Sequence, residues 1–157
     1  MSLAPASPIV GAAMTGLTSP TYTVTLDSPP NSHSKQYAVT AIGGTQTGVT
    51  IHSPSSPFIL MLQRPAQFKQ LAQVNPVTGK LMTVPRNTWR LLVVKGGLPM
   101  ADQAPANIVF RAEFAIPAGV EINDTANLAA LLSFLGGLFW VDGNDLRACF
   151  TSGLLGA

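Results

Sequence analysis

With 157 residues the chain is long enough for one domain with a sizeable core, yet only 10% of them are charged, against roughly a quarter in an ordinary soluble domain. The single cysteine, Cys149, excludes an internal disulfide, and the net charge of +2 permits contact with nucleic acid without demanding it. A chain this apolar must hide much of its surface, and association is one way to do so.

Residues 1–20 are rich in Ala, Ser, Pro and Gly and read as a flexible arm or irregular edge; with no basic opening and no long apolar run they do not read as a signal peptide. Tyr22–Leu26 alternates apolar with Thr and predicts a strand. "DSPPNSHSK", Asp27–Lys35, predicts a turn, and Tyr37–Ile42 a second strand, so 22–42 forms a hairpin. Gly43-Gly44 predicts a break, Val49–His52 a short strand, and Ser53–Pro57 a turn. Phe58–Gln63 is more continuously apolar, as an interior strand is. Gln67–Gln73 reads as one helical turn and "NPVTGK", Asn75–Lys80, as a tight turn. Trp89–Lys95 is a strand and Gly96–Asn107 a loop. Asn107–Ile116 alternates strictly, with Phe110, Ala112 and Phe114 on one face and Val109, Arg111 and Glu113 on the other. Pro117, lacking an N–H, ends that ladder.

Asp124 is then a good N-cap, and Thr125–Val141 carries no charged residue. Leu128, Leu131, Leu132, Leu135, Leu138 and Phe139 form one helical stripe; the opposite side holds small residues and Phe134. At 17 residues, closed by Asp124 and Asp142, this helix falls short of the roughly 20 residues needed to span a membrane. Asp142-Gly143-Asn144 is a turn, Asp145 caps a short last helix through Phe150, and Gly153 stops it. Strands first and helices last predict a single α+β domain over 1–157. An N-terminal β-hairpin and antiparallel sheet fill 22–116, and two C-terminal α-helices fill 124–152.

A helix apolar all round must be covered on two sides. Its own sheet supplies one cover and nothing else in the chain is large enough for the second, so a second copy is expected there. Burying the Leu and Phe side chains at roughly 1.5–3 kcal/mol each drives that association. The alternative is that 65–87 folds back as a lid. Sites of catalysis are missing: there is no GxSxG, HExxH, Walker A or GxGxxG, and no His, Cys or carboxylate group has metal-ligand spacing. No enzyme, cofactor, metal or small-molecule substrate is therefore expected. Cys149 reads as an apolar filler, and Asn123-Asp124-Thr125 as a cap and not a glycan site. Basic residues remain on or beside the strands: Arg64, Arg90, Lys95 and Arg111. The helices cover one face of the sheet, and arginines on the other face suit phosphates. The competing reading is a solvated face with Arg111 and Glu113 paired along their strand.

The run "FRAEFAIPAGVEIND", the apolar helix, "GGLFWVDGN", a short helix and "SGLL" resemble the coat proteins of single-stranded RNA bacteriophages, the levivirus family. "VNPVTGKLMTVPRNTWRLLVVKGG", Val74–Gly97, is similar to the turn-and-strand region of divergent coats, so the resemblance covers roughly the second half of the chain. It implies a five-stranded antiparallel sheet and two helices packing across a homodimer, with Leu128, Leu131, Leu132, Leu135 and Phe134 in the interface. It further implies an icosahedral shell, usually T=3, assembled in the bacterial host cytoplasm around single-stranded genomic RNA. RNA would lie on the free face at Arg64, Arg90, Arg111 and Val109, in some coats as a stem-loop that represses translation. Val109 replaces an aromatic that stacks on a base, and Leu92 and Val94 stand where polar residues are usual, which argues against a specific hairpin but not against genome packing. The runner-up is a non-viral dimeric binding or adhesion module without RNA.

Overall fold

The computed structural model describes residues 4–155; the first three residues of the expected arm lie outside the described residues. Strands β1 (Ile9–Val10), β2 (Leu17–Asp27), β3 (Ser34–Gln46), β4 (Phe58–Gln63), β5 (Arg86–Gly97) and β6 (Ala106–Pro117) form one sheet in chain order. Every neighbouring pair is antiparallel. Then come the single turn α1 (Val120–Asn123), α2 (Thr125–Val141) and α3 (Gly143–Ser152).

Four local expectations change. Residues 9–20 are an ordered edge: Ile9 pairs with Tyr22, Ser7 Oγ bonds both the N–H and the C=O of Val24, and Pro20 is fully buried. Gly43-Gly44 does not break β3 but carries it through a bulge opposite Thr18–Thr21. Gly44 has φ +74°, and a Cβ there would run into the Ser19 carbonyl, so only glycine fits. Val49–His52 is not a strand; His52 instead donates its N–H to Val39 O of β3 at 2.9 Å and accepts the Phe58 N–H on Nδ1 at 3.1 Å. Gln67–Gln73 makes no helical turn; buried Asn87 ties this stretch to β5 instead.

The helix ends follow their caps. Asp124 accepts from the Asn127 N–H at 3.3 Å and opens α2. The last helix starts earlier than expected, with Asp142 at its N-cap and Asp145 inside its first turn, and Gly153 closes it in the left-handed region. Asn144 Oδ1 accepts the Thr15 N–H at 2.9 Å, which ties α3 to the segment before β2.

The core of the single chain is thin. Among the described residues the buried apolar side chains are Pro20, Ala38, Val39, Val94 and Ala118, and α2 buries none. The accessible surface is 11037 Å², whereas a compact 16.4 kDa monomer exposes about 7,500 Å² by the usual size scaling. The excess of about 3,500 Å² is the scale of an extensive obligate interface.

Candidate functional site

The strand register sorts the sheet into two surfaces. On the helix side, Tyr37, Leu60, Val93 and Phe110 lie in one row, and Leu62, Leu91 and Ala112 in the next. Above them runs α2. Phe139 meets Phe110 edge-to-face, with ring centroids 5.6 Å apart. Elsewhere the helix stands off, leaving an apolar cleft of about 810 Å³ lined by Phe110, Phe114, Leu131, Leu132 and Leu135 among others. Leu132 remains 52% exposed and Phe134, outside the cleft, 68%. Its own sheet therefore lies beneath α2 without sealing it, contrary to the expected first cover. Nor is 65–87 a lid over α2. Phe68 of that stretch packs on Trp89 at 5.9 Å, and Leu71 lies beside Gly119.

On the free side the rows grade from apolar to charged. Ala38, Ile59, Val94 and Val109 form one row; Gln36, Met61, Leu92 and Arg111 the next; Ser34, Gln63, Arg90 and Glu113 the third. Glu113 faces Arg90 directly across the β5–β6 ladder and pairs with its Nε at 3.3 Å. That corrects the Arg111–Glu113 pairing considered from sequence: cross-strand neighbours on one face sit closer than residues two apart along a strand. The pair is exposed and contributes about 0.2–1 kcal/mol. Lys95 points to the helix side, where its Nζ donates to Thr50 Oγ1 at 2.9 Å and stands over the Phe58 ring; burial pushes its pKa down.

The solved structure of the virus-like particle of bacteriophage ESE020 matches this arrangement with a TM-score of 0.91 and 43% sequence identity, over 98% of this chain and 100% of that one. The chain belongs to the bacteriophage coat proteins. No protein-family model and no curated protein matches it.

In this coat protein the residues singled out from sequence divide three ways. Leu131, Leu132 and Leu135 line the cleft, Leu128 is half-buried near the start of α2, and Phe134 looks outward. Arg90, Val109 and Arg111 share the free face. Arg64 lies just past the end of β4, its N–H donating to His33 O, and lines a pocket with Arg90, Lys69 and Arg86. Those last two were missed, because only the fold of 64–69 against β5 brings them to Arg64. No single described helix is long and apolar enough to cross a membrane.

Proposed function

We propose that this coat protein is a structural capsid subunit that forms homodimers through α2, and that the dimers build an icosahedral, T=3 shell around single-stranded RNA in the bacterial cytoplasm, as in leviviruses. The match along both whole chains to a protein that forms a virus-like particle carries the reading. The exposed leucines of α2 and the open cleft beneath them support the dimer, because a second helix laid there removes the apolar surface that a lone subunit leaves in water.

For RNA, the support is charge placement. Arg111 stands opposite Leu92, with no carboxylate pairing it among the described residues, and Arg90 is half neutralised by Glu113. Arg111 is therefore the stronger phosphate contact of the two. Val109 offers no ring for a base, so the face holds backbone and packs the genome without gripping a particular stem-loop.

Expression in bacteria followed by sizing, electron microscopy and nuclease digestion tests this function. Megadalton particles with nuclease-resistant RNA are expected. A free dimer, or particles empty of RNA, would contradict the capsid or the RNA part respectively.

A further inference from the structure

Where β5 ends, the loops before β4 and after β5 enclose a separate pocket of about 380 Å³, within the roughly 300–1,000 Å³ of small-molecule sites. It lies along the row Phe58, Lys95 and Ile108, on the sheet face opposite Arg90 and Arg111. Its walls are apolar: Val49, Leu98, Pro105 and Ile108. Among the described residues no carboxylate lines it, nor does any residue of α2 or α3.

One cation serves these walls. Lys95 Nζ donates to Thr50 Oγ1 at 2.9 Å and to the Gly96 carbonyl at 3.0 Å, and it stands 5.1 Å from the centre of the Phe58 ring. An ammonium has three N–H groups, so one is left for another acceptor. Lys95 makes no ion pair among the described residues, and burial pushes its pKa down. A cation held partly out of water without a counter-ion is stabilised when an anion reaches it. The loop that holds it is fixed. Thr50 Oγ1 and Ser56 Oγ share a hydrogen bond at 3.3 Å, and Ser53 and Ser56 bond each other's backbone at 3.1 and 3.2 Å. A Cβ on Gly96 would run into Ser56, so glycine lets β5 pass this close to the loop.

We infer that this pocket binds a small amphiphilic carboxylate of the fatty-acid kind, its head on Lys95 and its tail along Val49, Leu98, Pro105 and Ile108. A carboxylate carries the one negative charge that one ammonium neutralises, and the apolar walls take the tail out of water. A phosphodiester of RNA has no such tail, and the pocket faces away from Arg90 and Arg111, so the inference stands apart from the RNA reading.

Isothermal titration of the full-length protein with octanoate, acetate and octanol tests this. Octanoate should bind. Acetate, without the tail, and octanol, without the charge, should each bind at least about tenfold more weakly. Leu98→Glu sets a repelling charge on the exposed wall and should weaken octanoate about tenfold, on the scale of one hydrogen bond to an ionised group. Val77→Glu makes the same change of charge at a 91% exposed position outside the pocket and should leave octanoate binding as it was. Lys95→Met should weaken octanoate and spare octanol, a split that a loosened fold would not produce. Acetate bound as tightly as octanoate would reduce the pocket to a bare anion site and overturn the inference. Octanol bound as tightly would remove Lys95 from it. No effect of Leu98→Glu would move the ligand elsewhere, such as the cleft under α2, and equal losses in both glutamate variants would reduce the effect to net charge; either result overturns the pocket. A wild type that binds no octanoate would overturn it also and leave the capsid reading standing.

Discussion

The two faces of one sheet are made by alternate residues of the same strands, yet they demand different partners. On β6, Phe110, Ala112 and Phe114 face α2 across an apolar cleft, while Val109, Arg111 and Glu113 face away from it. The first set lacks protein: α2 has no buried residue, and Leu131 and Leu132 remain about half exposed. The second set lacks an anion: beyond Arg90, the cations at this face and its end have no acidic partner among the described residues. A two-residue period thus places the apolar cleft and the basic side chains on opposite sides of a single layer.

Breaking the helix side should have the largest effect. Leu132→Asp is expected to abolish dimers and particles, since in the proposed dimer it loses roughly 1.5–3 kcal/mol of apolar burial per subunit and places a charge in the proposed contact. Gel filtration with light scattering reads the result; a variant that still assembled would remove this part of α2 from the contact. Next in size is Asn87→Ala, which frees the Lys69 backbone. A loss of about 1–3 kcal/mol in urea unfolding is expected from the unpaired groups. No loss would show that the loop is held by other contacts.

On the free side, Arg111→Gln should lower the salt slope of RNA binding by about 0.7, and Arg90→Gln by less, because Glu113 already offsets part of its charge. The reverse order would mean that the ion pair opens when RNA arrives. The smallest effect concerns Asp27, whose carboxylate accepts from Gln36 Nε2 at 2.7 Å and from the Ser28 N–H, which hold its pKa below the ordinary value. A lowered folded pKa contributes stability that is fully present above the unfolded value and lost as pH falls through the folded one. An NMR titration should find Asp27 below the ordinary aspartate value; Gln36→Leu should bring it back up, and a pKa unmoved by that change would discount the hydrogen bond.

Much of this contrast was legible in the residues themselves. The alternation of Asn107–Ile116 gave both faces of β6, and the uncharged run between Asp124 and Asp142 marked α2 to its ends, because local period and caps decide those features. What escaped depends on distant partners. The bulge at Gly43-Gly44 exists only because β2 runs alongside it. The partner of Glu113 follows from the β5–β6 register, which a strand read alone does not contain. Arg64, Lys69 and Arg86 converge through a side chain 18 residues from the backbone it holds. The gap beneath α2 was hidden for the same reason: composition required two covers, but not that the chain's own sheet would leave the first one open.

The most direct test is a reconstruction of the assembled particle at side-chain resolution. A second copy should fill the cleft and cover Leu131 and Leu132, with the free face of the sheet turned toward the interior. An α2 that settles onto its own sheet, with no other copy against those leucines, would contradict the account.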